Sequence, residues 1–273
     1  MSMAFERQHR ILEILEERSA VTVVELSDIL KVSEVTVRKF LSDMESAGLL
    51  KRTWGGAVSL SGSHKELEHN QKAVKHVREK RAMAKVALTL IKDGDAIFLD
   101  SGSTNLELAT AIAAETWESL VIGTNALNIA SLLANAPGIT VLMTGGEVRG
   151  RALSCVGPIA EASISRTFYD KGFISTYRVT PERGITTPDA YEAHFKECLM
   201  RICKESIVLA DHSKFGDDSM MQVCALGEID CLITDWLIDP GMLAQAREMV
   251  DHVIVADDPD VTVPNDAKSI DMQ

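Results

Sequence analysis

Residues 33–58 read SEVTVRKFLSDMESAGLLKRTWGGAV, and the interpretation of this stretch decides what kind of N-terminal unit the chain builds. Ser33 is a good N-cap, and a helix starting there at about 100° per residue places Phe40, Leu41 and Met44 within about 60° of Val37, defining a packed face. Val35, Lys39 and Ser42 then point away from that face, flanked by Thr36 and Arg38. After Gly48 the run LLKRTWGGAV alternates around Gly55-Gly56 and predicts a small β-hairpin.

Two more short helices precede it. Ile11, Leu12 and Leu15 give the first an inward stripe. Thr22 with Glu25 three residues on forms a capping box for the second, whose Leu26, Ile29 and Leu30 are expected to face inward. Lys31-Val32 leave room only for a sharp change of direction before Ser33, which is helix-turn-helix spacing. Three helices and a hairpin predict a winged helix-turn-helix over residues 1–58.

The outward set has the chemistry of a base-reading helix. Arg38 and Lys39 suit phosphate or guanine, Thr36 and Ser42 are short hydrogen-bonders, and Val35 suits a thymine methyl. Lys51 and Arg52 of the hairpin are placed to grip the backbone or minor groove beside it. The plainer alternatives are a solvated amphipathic helix that merely carries basic residues, or a winged helix that contacts protein.

Charge bears on that choice. The net charge of −12 over 273 residues argues against a nonspecific polyanion binder, but the acidity is concentrated beyond Met83 and the first 58 residues are close to neutral. Local placement of cations must therefore supply any electrostatic footprint. The length favours two domains, one with a large core. Five cysteines, an odd number without a CxxC pair, fit reduced thiols better than disulfides or zinc. No secretory leader and no long apolar run is visible, so a soluble, cytoplasmic protein without a membrane partner is expected.

Residues 59–82 are polar and mildly basic and read as a linker leading into a helix. His64, His69 and His76 lie there without ligand spacing, and no metal or cofactor is predicted. From residue 83 to 273 short apolar runs alternate with helical patterns: AIFLD, LVIGT, ITVLMT, GFIST, SIVLAD, CLITD and HVIVAD are the expected strands. The predicted fold class is α/β, a mostly parallel sheet covered by helices on both faces.

Ligands in such sheets sit at the carboxyl ends of strands. Ser101, Gly102, Ser103 and Thr104 fall between a strand end and a helix start, where backbone N–H groups and hydroxyls suit a phosphate. Gly145-Gly146 let the backbone approach a ligand, with Glu147 and Arg149 nearby, and Lys214 follows SIVLAD as a second phosphate contact. Thr124 and Asn125 are candidates for sugar hydroxyls. Glu192 and Lys196 share a helical face, either as an ion pair or as pocket lining.

VTVVELSDILKVSEVTVRKFLSDMESAGLLKRTWGGAV resembles, without a gap, the N-terminal domain of the DeoR family of bacterial transcriptional regulators. Two positions depart from the family pattern: Phe40 stands where Asp is usual and Trp54 where His is usual, which widens the packed stripe and puts an aromatic ring on the wing. The resemblance continues through EKRAMAKVALTLIKDGDAIFLDSGST, IGTNALNIA, LMTGGEVRG, DKGFI, PERGITTP and ADHSKFG. It implies a sensor domain similar to ribose-5-phosphate isomerase and CoA-transferase-like folds. It also implies a small phosphorylated metabolite as effector, double-stranded operator DNA as partner, and a homo-oligomer, dimer or tetramer.

A third departure lies within the sensor segment. Ser175-Thr176-Tyr177-Arg178-Val179 replaces a small and acidic stretch usual in the family, so Tyr177 and Arg178 would favour a smaller, more anionic effector if they line the pocket. The expected function is a non-enzymatic regulator, a repressor of carbohydrate catabolism genes. The alternative from the fold relationship is a sugar-phosphate isomerase.

Overall fold

The computed structural model describes residues 3–18, 20–47, 49–53, 55–58, 74–150 and 152–260. Trp54, together with His64, His69 and most of the stretch read as a linker, lies outside the described residues. The chain divides into two compact units, Met1–Val77 and Arg78–Gln273.

The first unit runs α1 (Met3–Arg18), β1 (Ala20–Thr22), α2 (Val23–Leu30), α3 (Glu34–Ser46), β2 (Lys51–Thr53) and β3 (Gly56–Val58). Thr22 caps α2 as its capping box requires: its hydroxyl accepts from the Glu25 N–H at 3.2 Å, and Glu25 accepts from the Thr22 N–H at 2.8 Å. Lys31 ends the helix in the left-handed region at φ 52°, and the Ser27 hydroxyl donates to the Val32 carbonyl at 2.6 Å. These contacts set the sharp turn into α3, whose N–H at Thr36 is accepted by Ser33 at 3.3 Å.

Ile11, Leu26, Val37, Leu41 and Met44 form the centre of this unit. Each such side chain contributes on the order of 1.5–3 kcal/mol by leaving water. Phe40 joins the same core. Ile29 does not: it is 40% exposed, because Val23 and Leu26 already fill the inward face of this short helix. The wing is three-stranded rather than a lone hairpin, in the order β1-β3-β2, all antiparallel. Gly56 is required there, since a Cβ would collide with the Val21 carbonyl of β1.

The second unit is built on seven parallel strands: β4 (Ala96–Leu99), β5 (Leu120–Thr124), β6 (Ile139–Met143), β9 (Tyr169–Ser175), β12 (Cys203–Leu209), β14 (Cys231–Asp235) and β15 (His252–Ala256). Their spatial order is β15-β14-β12-β9-β4-β5-β6. Alternate residues feed two cores. Ile97, Leu99, Phe173, Ile207 and Leu209 pack with α4 (Val77–Thr89), α5 (Ser103–Ala113) and α6 (Leu127–Leu133). Phe98, Ile174, Val208 and Leu232 pack with α7 (Pro158–Ile164), α8 (Ala190–Ile202) and α9 (Pro240–Met249).

Two smaller sheets complete the unit: β7 (Glu147–Arg149) with β8 (Ser154–Val156), and β10 (Arg178–Thr180) with β11 (Gly184–Thr187) and β13 (Met221–Cys224). The chain starts the main sheet at β4, builds outward through β5 and β6, then returns to the other side of β4 with β9. That reversal is a topological switch point, the place beyond the carboxyl ends of the strands where open α/β sheets bind their ligands. Among the described residues no helix is long and apolar enough to cross a membrane.

Candidate functional site

In the first unit α3 presents Val35, Arg38 and Lys39 in exposed positions, with Thr36 and Ser42 half-buried beside them. The Arg38 guanidinium lies 2.7 Å from Glu34, an exposed pair whose exchange for a phosphate costs little. The Ser33 hydroxyl is engaged in capping and lies 2.9 Å from the Thr36 hydroxyl, so Ser33 positions the helix end. Lys51 and Arg52 are exposed on the wing, and the Arg52 N–H donates to Glu45 at 2.8 Å, tying the wing to α3.

In the second unit the loop after β4 begins with Asp100, which is fully buried. Its carboxylate takes hydrogen bonds from the Ser175 N–H at 3.1 Å and from the Lys196 ammonium. Lys196 also donates to the Ser175 carbonyl at 2.9 Å. Burial by itself would lower the Lys196 ammonium, but Asp100 and Glu192 outweigh it and hold it above its ordinary value. Glu192 continues the series, with one oxygen 3.3 Å from Lys196 and the other 3.0 Å from Arg149, which reaches Asp189 at 3.5 Å. Charges thus alternate from Asp100 through Lys196, Glu192 and Arg149 to Asp189, across the ends of β4, α8 and β7. Glu192 and Lys196 form an ion pair, with the Lys196 side chain fully buried.

Other expected contacts also have partners within the fold. The Thr124 hydroxyl donates to the Leu99 carbonyl at 2.7 Å and accepts from the Ala126 N–H at 3.0 Å, so Thr124 locks β5 to β4. Asn125 is buried as well. Its amide oxygen takes the Ser101 N–H at 2.9 Å and its amide nitrogen donates to the Cys155 carbonyl at 3.3 Å, which makes it a brace for the Ser101 loop. Gly146 sits at φ 108° where a Cβ would lie 2.8 Å from the Val156 carbonyl, so it lets the backbone pack closely on β8. Gly145 has open space around it and Glu147 is exposed.

Gly102 leaves α5 without a side-chain cap, and a Cβ there would lie 2.6 Å from the Ser175 side chain. Ser101, Ser103 and Thr104 are buried around it. Tyr177 lies between β9 and β10, and Arg178 opens β10. Arg178 donates to the Ser213 carbonyl at 2.9 Å and lies over the Tyr177 ring at 5.4 Å, which fastens the segment to the turn that carries Lys214.

The residues that pattern alone did not single out are charged or polar, and buried or half-buried. Asn105 donates to the carbonyls of Asp100 and Phe173 at 2.9 and 2.8 Å and stitches β4 to β9. His212 bonds Asp235 at 3.0 Å, and that bond holds its imidazole above the ordinary value. Lys80, on the first turn of α4, is 2% exposed. Burial lowers its ammonium to about 8. The signal for it would have been a lysine at an inward position of α4, masked by its polar neighbours. The described cysteines are all free thiols, and burial pushes Cys203 and Cys224 up to about 12, which makes them inert.

Residues 7–63 match the DeoR-like helix-turn-helix domain, and residues 75–236 match the DeoR C terminal sensor domain. The chain belongs to the DeoR family. A similar DeoR-family protein is the HTH-type transcriptional regulator GlpR of Haloferax volcanii, 35% identical over 90% of this chain and 94% of that one. The lactose phosphotransferase system repressor of Staphylococcus epidermidis is 33% identical over 85% of this chain and 92% of its own. Among solved structures, a D-ribose-5-phosphate isomerase in complex with phospho-erythronic acid aligns over 50% of this chain and 53% of that one, with 17% identity and a TM-score of 0.38. The DeoR-family assignment makes the chain a transcriptional regulator with an N-terminal helix-turn-helix and a C-terminal α/β sensor.

Proposed function

We propose that the protein is a cytoplasmic repressor of carbohydrate-use genes. It binds two-fold operator DNA as a dimer or tetramer and leaves it when a phosphorylated sugar occupies the carboxyl edge of the main sheet in the second unit. The observation that carries the DNA half is Val35, 73% exposed on α3 between the cap and two exposed cations, Arg38 and Lys39. An apolar side chain held in water at the start of a helix, beside cations, suits a thymine methyl next to phosphates.

The sensor half is supported by the uncapped end of α5, Lys214 and the alternating charges from Asp100 to Asp189, all at the carboxyl edge of one sheet. The lactose phosphotransferase system repressor adds support for a carbohydrate context, since its own name couples repression to a sugar. The isomerase alternative is disfavoured because residues 7–63 match a DeoR-like helix-turn-helix domain, which contributes nothing to sugar-phosphate chemistry.

Substituting Arg38→Ala and Lys39→Ala together tests the DNA half. Fluorescence anisotropy with an operator fragment is expected to show affinity weakened by at least about tenfold, with a shallower salt dependence. Unchanged affinity contradicts α3 as the reader.

A further inference from the structure

From Leu120 to Gly146 the chain carries no Asp, Glu, Lys, Arg or His, although 25% of its residues are charged. That run builds β5, α6 and β6, and β6 ends the main sheet. Its neutrality therefore falls on one rim of the second unit. On β6, Ile139 and Val141 pack against the core that α6 shares, whereas Thr140 and Leu142 lie on the opposite face and are exposed. Leu142 is 46% exposed, and Met143 of β6 with Leu127 and Leu132 of α6 are each more than a third exposed.

Among the described residues β6 pairs with β5 alone, so the backbone groups along its outer side have no strand partner. Such an edge invites pairing unless charge or proline blunts it. The opposite edge of the same sheet is blunted. There β15 lies between Asp251 and Asp257-Asp258, and Arg78 reaches Asp258 at 2.9 Å and also Asp260. Ile139–Met143 holds neither charge nor proline.

Charge decides what fits this rim. With a net charge of −12, two copies of the chain repel each other over a Debye length of about 8 Å wherever their carboxylates face. The rim of α6 and β6 is where they meet without that cost. Nucleic acid would require cations, which the run from Leu120 to Gly146 does not supply.

We propose that β6 pairs with β6 of a second copy about a two-fold axis through Val141. The axis stands perpendicular to the sheet, so the strands run antiparallel and Thr140 lies opposite Leu142 of the partner subunit. Such cross-strand pairs stand about 4.5–5.5 Å apart. Both copies of α6 then lie on the same side of one continuous sheet. The first flanking acid, Glu147, falls at opposite ends of the joined strands. An isologous contact of this kind matches the symmetry of two-fold operator DNA. The proposal rests on the dimer or tetramer proposed above and names the surface that forms it.

Sedimentation velocity of the full chain from about 1 to about 100 μM tests this. The variants are Leu142→Glu, Met143→Glu, the double variant Thr140→Lys with Leu142→Glu, and Phe168→Glu, an exposed apolar position elsewhere. The wild type is expected to be a dimer or tetramer. Leu142→Glu buries a carboxylate without a partner and is expected to halve the assembly mass, with self-association weakened about 100-fold. Adding Thr140→Lys supplies the cation across the axis and is expected to recover at least about tenfold of that loss. Phe168→Glu is expected to leave the mass unchanged. Circular dichroism checks folding, and if Leu142→Glu does not fold, Met143→Glu decides in its place.

An assembly unchanged by Leu142→Glu and Met143→Glu overturns this surface and leaves the oligomer standing. Loss in Leu142→Glu without recovery in the double variant contradicts the antiparallel pairing at Val141. A wild-type monomer at every concentration overturns both the surface and the oligomer.

Discussion

Lys196 illustrates how much of the sensor depends on single side chains. It is wholly buried, and its ammonium holds together Asp100 after β4, Ser175 after β9 and Glu192 on its own helix. Replacing it by Met leaves the Asp100 carboxylate buried with only neutral donors. Breaking a buried pair from one side costs about 3–5 kcal/mol, a large part of the roughly 5–15 kcal/mol that stabilises a domain. Urea denaturation of Lys196→Met is expected to show a loss of that size, partly recovered when Asp100→Asn is added. A loss below about 1 kcal/mol contradicts the pair's structural role. The type of these residues was legible in the sequence, but their assignment was not. Thr124 and Asn125 read as ligand contacts because they end a strand, whereas their hydrogen bonds go to Leu99, Ala126, Ser101 and Cys155. Which way a buried polar side chain turns depends on chain segments distant in sequence, and local pattern carries no record of that.

The same contrast holds for elements. All seven strands of the main sheet overlap the expected apolar runs, because a strand segment buried on both faces needs no polar alternation, but β9 and β12 begin earlier, with Asp170 and Lys171 or Lys204 and Glu205 ahead of their apolar ends. The short strands β1, β7, β8, β10, β11 and β13 were not visible. Arg178-Val179-Thr180 and Gly184–Thr187 are held by partners across the chain, such as Ile185 opposite Cys224, rather than by their own pattern. Helix starts were legible where a cap marks them. Thr22→Ala removes the acceptor for the Glu25 N–H and is expected to cost about 1 kcal/mol, within a range of about 0.5–2. Thermal melting of the variant followed by circular dichroism checks this. An unchanged midpoint contradicts the cap. Phe40 acts at this scale too, since its burial extends the packed face of α3 while Val35 and Lys39 stay outside.

For the whole molecule, regulation is a coupling free energy between two ligands, one for each unit, and each must change the affinity for the other by the same factor. Couplings of this kind are typically about 1–3 kcal/mol, or roughly 5–150-fold in affinity. The central claim is tested most directly by footprinting DNA upstream of the protein's own gene and its neighbours, with and without a panel of sugar phosphates. The expected result is a protected site with two-fold symmetry, lost when one member of the panel is present at saturation. Protection that no phosphorylated sugar alters, or no specific protection at all, contradicts it.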